Sequence, residues 1–303
     1  MVRPDVLCWL ALILSLLAAC RGSAPSRTML RVGFVPSEDA RQVMENAQPL
    51  VEILRKELNM EVEPFVATDY TGVVEALRVN KLDAAFLTPA SYVMAKNEAN
   101  IRVVLKSERK GIPFYYAAII ARADSDIWTI GDLRGKTFAF ADSLSTTGHV
   151  FPRKMLKQHG IDPVRDFKKI LYAGGHDATV LAVLNRKVDA GATYANSPDG
   201  EDTAWMRYLK DPAEVMKIRP IAFSEPIPAD NLVVRADLNP QITEQIIDVF
   251  IRLSADPNGK KMFRELYQID GFVTATDQDY DSVRAAFSAA GIQLKSALRK
   301  APS

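Results

Sequence analysis

Two stretches of this chain share one order of residue classes, and this repeat constrains the fold more than any other feature. Residues 67–86 begin with ATDYTG, continue with an apolar helix pattern and end with KLDAAF. Residues 173–192 begin with AGGHDAT, continue with a similar pattern and end with KVDAGA. Each predicts a strand, a polar turn, a short helix, and an Asp before a strand of small residues. The repeat therefore predicts two similar lobes. Polar turns at helix N-termini that face a shared cleft suit an anion, because the first N–H groups of a helix are unpaired.

The rest of the chain alternates strand and helix patterns, which predicts an α/β architecture with largely parallel sheets. Two segments, 115–122 and 228–235, have the pattern of strands that cross between lobes. We therefore predict lobe 1 from 29–118 plus 234–290, lobe 2 from 119–233 and a tail at 291–303. Beyond residue 235 the pattern is helical. Two crossing strands form a hinge, which is typical of proteins that close around a ligand.

The N-terminus has the pattern of an export signal. Residues 1–19 contain an apolar run of signal-peptide length, and Leu17-Ala18-Ala19-Cys20 resembles a bacterial lipobox. That resemblance implies cleavage before Cys20 and lipidation of its thiol, with residues 20–28 as a polar tether. An uncleaved anchor helix and an ordinary signal peptide are the alternatives, and each of them also exports the chain.

Composition excludes several classes of function. The only cysteines are Cys8 and Cys20, so the mature body has neither a disulfide nor a cysteine metal site. The net charge of +1 and the absence of a basic stripe argue against a nucleic-acid surface. His149 and His159 are ten residues apart, which is not metal-ligand spacing. We expect no metal or cofactor, and we find no nucleophile–base pair or dinucleotide fingerprint that would indicate an enzyme.

Several polar residues are candidates for binding an anion. Three consecutive hydroxyl residues, Ser145 to Thr147, lie in a turn before a helix, where they either cap the helix or donate to a bound oxyanion. His176 opens the helix of the second repeat, with Asp177 as its alternative cap. Tyr70 and Tyr115 offer phenol groups to the cleft or simply pack, and Asp230 is either an acceptor in the second crossover or a turn residue.

These motifs occur together and in order, and they resemble the phosphate, phosphite and phosphonate-binding proteins of bacterial ABC importers. STTG at 145–148, AGGHD at 173–177, TDY at 68–70 and IPAD at 227–230 carry the likeness, with SEDA at 37–40 and DGFV at 270–273. The resemblance implies a two-lobed, type 2 periplasmic-binding-protein fold with two mixed sheets, and a membrane permease as partner. It also implies contacts to the oxyanion from Tyr70, Tyr115, Ser145, Thr146, Thr147, His176 and Asp230, with Tyr116 as the alternative to Tyr115.

One position departs from the relatives that take aminoalkyl phosphonates. Those relatives have an acidic residue for the ammonium group where this chain has Asn196. We therefore expect a ligand without an amine, unless Asp199 substitutes. Asp230 would accept the hydrogen bond of a ligand proton and repel sulfate, and neutral donors would suffice without a buried Lys or Arg. The function predicted is a solute-binding lipoprotein of an importer, with a sensor for a membrane signalling protein as the alternative and an enzyme on the same fold as a more remote one.

Overall fold

The computed structural model describes residues 29–197 and 199–293. The predicted signal peptide, the lipobox with Cys20, the tether and the tail beyond residue 293 lie outside the described residues. The strands are β1 (Met29–Phe34), β2 (Glu61–Val66), β3 (Ala84–Leu87), β4 (Ile101–Glu108), β5 (Phe114–Arg122), β6 (Thr137–Phe140), β7 (Lys169–Tyr172), β8 (Ala190–Ala195), β9 (Ile218–Phe223), β10 (Ile227–Pro228), β11 (Asn231–Arg235) and β12 (Gly271–Thr274).

Helices connect most of these strands. They are α1 (Ala40–Leu58), α2 (Tyr70–Arg78), α3 (Pro89–Glu98), α4 (Phe151–Gln158), α5 (Pro163–Asp166), α6 (His176–Leu184), α7 (Ala204–Tyr208), α8 (Pro212–Val215), α9 (Pro240–Ala255), α10 (Pro257–Tyr267) and α11 (Asp281–Ala290). A π-helical turn, Thr146–Val150, leads directly into α4, and 3-10 turns lie at Ile130–Leu133 and Asp277–Tyr280.

The strands form two sheets of similar topology. The first has the order β12-β4-β11-β3-β1-β2, and the second has the order β10-β5-β8-β6-β7. Strand β9 also pairs with β5. In the first sheet β1 is parallel to β2 and β3, and β11 is antiparallel to β3. In the second sheet β6 is parallel to β7 and β8, and β5 is antiparallel to β8. These two mixed sheets confirm the predicted two-lobed α/β fold.

The chain passes between the sheets twice. The first connection joins β4 to β5, and β5 lies wholly in the second sheet. This connection therefore lies upstream of residue 118, where the boundary between the lobes was predicted. The second connection is the pair Ala229 and Asp230, between β10 and β11. Strand β12 corrects the expectation that everything after residue 235 is helical. Its four residues pair with β4 and form one edge of the first sheet, and so short an apolar run between two helices has no clear strand pattern.

The aspartates of the sequence repeat have the same role in both lobes. The Asp83 carboxylate accepts a 2.9 Å hydrogen bond from the backbone N–H of Arg31, in the first strand of its sheet. The Asp189 carboxylate accepts a 2.7 Å bond from the backbone N–H of Thr137, in the corresponding strand of the other sheet. Each Asp therefore fixes the register at which the third parallel strand joins the first. The repeat encodes a connection within each sheet as well as a turn facing the cleft.

The two lobes share buried contacts behind the cleft. Helix α11 packs against α3 of lobe 1 and against α4 of lobe 2. Tyr280, just before α11, lies with its ring 4.8 Å from that of Tyr92, and Phe287 belongs to the same buried cluster as Phe151 and Met155. The lobes are therefore joined by apolar packing as well as by the two connections.

We expect Asp83→Ala and Asp189→Ala to destabilise the protein unequally, although the two residues have matching roles. Asp83 is 1% exposed and also lies 3.6 Å from Arg235, so its loss leaves buried groups unpaired and costs about 1–3 kcal/mol or more. Asp189 is exposed, so water can replace it at a cost of about 0.5–1.5 kcal/mol. Urea unfolding of both variants measures the difference. Equal losses would contradict this account.

Candidate functional site

A cavity of about 50 Å³ lies between the two lobes. A single water needs about 10–15 Å³, so this volume suits a few waters or one small tetrahedral anion. Both lobes and both connections contribute to the wall. The lining residues are Ser37, Glu38, Tyr70, Thr88, Arg109, Tyr115, Thr147, His176, Tyr194, Arg207, Tyr208, Asp230, Leu266 and Tyr267.

Four of these residues lie at helix N-termini. Tyr70 is the first residue of α2, and Thr88 caps α3 with its hydroxyl, which accepts from the backbone N–H of Ser91. Thr147 lies in the π-helical turn before α4, and His176 is the first residue of α6. Four helical N-termini, the ends that carry partial positive charge, therefore lie around one cavity. The arrangement favours a negative charge at its centre.

Some of these helix ends are paired with the opposite lobe. The backbone N–H of Tyr70 donates to the Asp142 carboxylate at 3.3 Å, and that of Ala90 donates to the Thr146 hydroxyl at 2.8 Å. The backbone N–H of His176 donates to the Ser37 carbonyl at 3.0 Å. The walls of the cavity are therefore held together by the groups that would otherwise need water or a ligand.

Tyrosine hydroxyls and one carboxylate form another part of the cavity wall. The Tyr115 hydroxyl donates to Asp230 at 3.1 Å, whereas the buried Tyr70 hydroxyl has no hydrogen-bond partner in the described part of the chain. Burial raises the pKa of both tyrosines well above its usual range, so they remain O–H donors. Burial also raises the pKa of Asp230, while Arg109 and the Tyr115 hydrogen bond oppose this shift.

His176 is a neutral group in the opposite wall. Its Nδ1 lies 3.0 Å from the Thr193 hydroxyl, and its Nε2 lies 3.4 Å from the Ser145 hydroxyl. Burial lowers the pKa of His176 to about 4, so near neutral pH it offers one N–H donor without a charge. Gly148 allows this approach, because a Cβ there would lie 3.2 Å from the imidazole Cε1 and 2.5 Å from Ala141.

The structure brings five of the predicted binding residues into the cavity wall: Tyr70, Tyr115, Thr147, His176 and Asp230. Tyr115 rather than Tyr116 faces the cavity, because successive residues of a strand point to opposite faces. Ser145 and Thr146 lie directly behind the wall. The Ser145 hydroxyl accepts from the Gly148 N–H, and Thr146 contacts the other lobe.

Asn196 is not among the residues that line this cavity, and its contact with a ligand substituent stays a prediction. Its side-chain amide donates to the Asp202 carboxylate at 3.0 Å, and its backbone N–H donates to the Asp202 carbonyl. Asp199, its suggested substitute, is occupied by Ser197 and the Glu201 N–H in an exposed loop. The wall at this strand is formed instead by Tyr194, two residues earlier.

Two arginines in the wall were not predicted, and Arg109 corrects the expectation of a site without buried cations. Arg109 is 7% exposed and its Nη2 lies 3.5 Å from Asp230 Oδ2. Arg207 pairs with Glu38 at 2.8 Å, across the two lobes. Glu38 belongs to the SEDA motif, and Arg109 directly follows β4 at the first connection between the sheets.

The described residues contain no cluster of three or more His, Cys, Asp or Glu side chains that could hold a metal ion. Over the same residues, none of the helices combines the length and the apolar character needed to cross a membrane.

Comparison with known proteins places these features in a family. A family model described as the periplasmic substrate-binding protein of a phosphonate ABC transporter matches residues 32–280. The phosphate-import protein PhnD of Mycolicibacterium smegmatis is 29% identical over 90% of this chain and 92% of its own length. The phosphonates-binding periplasmic protein of Escherichia coli is 28% identical over 78% and 70%. A binding protein of an ABC phosphonate transporter from Pseudomonas aeruginosa superposes with a TM-score of 0.79, at 24% identity over 92% and 91% of the two chains.

We expect the neutral state of His176 to make part of the stability depend on pH. The pKa of His176 is about 4 in the folded protein and 6.5 when unfolded, so the unfolded chain takes up the proton first. The contribution of His176 to the free energy of unfolding is therefore complete above about pH 6.5. This contribution, up to about 3 kcal/mol, is lost as the pH falls towards 4. Ligand-free His176→Gln should lack this loss, as measured by urea unfolding across pH.

His159→Gln supplies the control, because it removes an exposed histidine that does not line the cavity. His149 and Asp142 also have shifted pKa values, about 3 and about 6, but they are common to all three proteins and cancel in the comparison. A His176→Gln curve parallel to the wild type would show that His176 is not held neutral.

Proposed function

The chain belongs to the family of periplasmic substrate-binding proteins of phosphonate ABC transporters, and we propose that it is a lipid-anchored member that captures a small phosphorus oxyanion between its lobes. Members of this family bind solutes for a membrane permease and are not enzymes. Membership also implies export to the periplasm. The ligand, the lipid anchor and the residues that contact the ligand are the proposed parts.

The convergence of four helix N-termini on one small cavity carries this proposal. The charges of the lining residues balance, with Arg109 and Arg207 against Glu38 and Asp230. An anion in this cavity would therefore be held by helix ends, by the hydroxyls of Thr147 and Tyr70 and by one neutral imidazole, with Arg109 beside it. These groups donate hydrogen bonds in several directions, which suits the oxygens of a tetrahedral oxyanion.

The cavity is less suited to an amine-bearing phosphonate. Each carboxylate among the described lining residues already has a cationic partner, because Glu38 pairs with Arg207 and Asp230 lies beside Arg109. An ammonium group would compete with a guanidinium for either carboxylate and would itself be desolvated. Aminoethylphosphonate should therefore bind more weakly than methylphosphonate, for a reason that does not involve Asn196.

Calorimetric titration with phosphate, phosphite, methylphosphonate, aminoethylphosphonate and sulfate tests the ligand class, and Tyr70→Phe tests the site. The substitution should weaken the tightest phosphorus ligand by about 1–3 kcal/mol, because it removes a buried donor that would face the anion. It should leave the stability of the ligand-free protein unchanged or higher, because that hydroxyl has no partner in the described structure.

Tyr92→Phe is the matched control. Tyr92 is also buried, but its hydroxyl donates to Asp277 outside the cavity, so this variant should lose stability and keep its affinity. Failure of every phosphorus oxyanion to bind would overturn the proposed function. Equal affinities of Tyr70→Phe and the wild type would instead remove Tyr70 from the site.

The lipid anchor has its own test. Cys20→Ser should abolish incorporation of labelled palmitate and release the protein from membranes, because the thiol is the acceptor of the lipid. Cys8→Ser is the control and should still be labelled, since Cys8 lies inside the predicted signal. Lipid labelling of Cys20→Ser at the wild-type level would exclude the lipobox.

A further inference from the structure

Arg109 is an unusual residue for the wall of a small cavity. It follows β4 in a tight turn, where its backbone exchanges hydrogen bonds with that of Ile112. Its Nη2 lies 3.3 Å from the Tyr267 carbonyl and 3.5 Å from Asp230 Oδ2. Its Nε and Nη1 are buried and have no hydrogen-bond partner among the described residues. One nitrogen of this guanidinium is therefore engaged, and two are not.

Such a group needs an acceptor. Leaving a buried charged donor unpaired is costly, and the Tyr115 ring, 5.5 Å from the guanidinium carbon, contacts only its face. Arg207 provides a contrast in the same cavity, because its nitrogens donate to Glu38 and to the carbonyls of Arg264 and Glu265. Since Arg109 lines the cavity, the oxygens of a bound anion are the natural acceptors for its free nitrogens.

Asp230 favours a hydrogen-bond donor on the ligand, whereas Arg109 favours an acceptor. A carboxylate can accept about four hydrogen bonds, and Asp230 receives one from Tyr115 and contacts Arg109. Ligand oxygens that approach its remaining lone pairs would be repelled, whereas a ligand O–H would be attracted. The wall therefore favours a ligand that has enough negative charge for Arg109 and also keeps an acidic proton for Asp230.

We propose that Arg109 and Asp230 together select inorganic phosphate as its monohydrogen dianion. This inference rests on the proposed function and narrows it to one ligand. Monohydrogen phosphate carries two negative charges and one O–H group. A phosphonate loses its last acidic proton when it becomes a dianion, the remaining hydrogen of phosphite is bonded to phosphorus, and the sulfate dianion has no proton.

Titration of the wild-type protein at about pH 8.5 with phosphate, methylphosphonate and sulfate tests the selection without any substitution. All three ligands are then dianions, and only phosphate keeps a proton. Phosphate should bind about ten-fold or more tightly than the other two, the equivalent of one good hydrogen bond to a charged group. Methylphosphonate or sulfate binding as tightly as phosphate would overturn the inference while leaving the proposed function intact. Failure of phosphate and of every phosphonate to bind would overturn both.

Variants separate the two roles. Arg109→Gln should weaken phosphate by about ten-fold or more, and Arg109→Lys should recover part of the loss because it restores the charge. Asp230→Asn should reduce the preference for phosphate over sulfate to about three-fold or less, since the repulsive carboxylate is gone. Unchanged phosphate affinity in Arg109→Gln, or an unchanged preference in Asp230→Asn, would contradict the assignment.

Arg235 supplies a matched control for the loss of a buried arginine. It is 9% exposed, pairs with Asp237 and Asp83, and does not line the cavity. Arg235→Gln should lower the midpoint of thermal unfolding and leave the order of ligand affinities unchanged. An equal change of ligand preference in Arg235→Gln and Arg109→Gln would mean that Arg109 acts through stability rather than through the ligand.

Discussion

The unpaired N–H groups at helix N-termini govern both the shape of this protein and its site. Backbone donors that are buried without an acceptor are costly, so the N-termini of α2, α3, α6 and the π-helical turn before α4 require acceptors wherever the lobes meet. Asp142, Thr146 and the Ser37 carbonyl supply three of them across the cleft. The contacts between the lobes and the setting for an anion therefore arise from the same groups, and each lobe completes the helix ends of the other.

Local sequence was sufficient for the parts of the fold that depend on local patterns. The repeat predicted both parallel units, and the IPAD and STTG motifs led to Asp230 and Thr147 in the cavity wall. Distinguishing Tyr115 from Tyr116 required the register of β5 against its neighbours, which no local pattern specifies. The hydrogen bond between Asn196 and Asp202 was likewise not predictable, because its geometry depends on the loop after β8.

Arg109 and Arg207 could not be assigned from sequence for a different reason. Each is one of 38 Lys and Arg residues, and only the fold places them beside carboxylates from distant segments. Arg109 meets Asp230 over a separation of 121 positions, and Arg207 meets Glu38 over 169. The charged side chains of the cavity wall are therefore paired with opposite charges, which limits the cost of removing them from water. Any selectivity then depends on which donors and acceptors stay unmatched.

The position of β11 has a consequence for how the protein folds. This strand lies between β3 and β4 in the middle of the first sheet, yet it follows the whole second lobe in the chain. Until residues 231–235 arrive, β3 and β4 have no strand between them, and the sheet is divided into two parts. Lobe 2 is contiguous and can fold early, whereas lobe 1 must close a long loop before its non-local pairing is complete. Asp230 and Tyr267 therefore join the cavity wall from the segments that complete lobe 1 after lobe 2 in the chain.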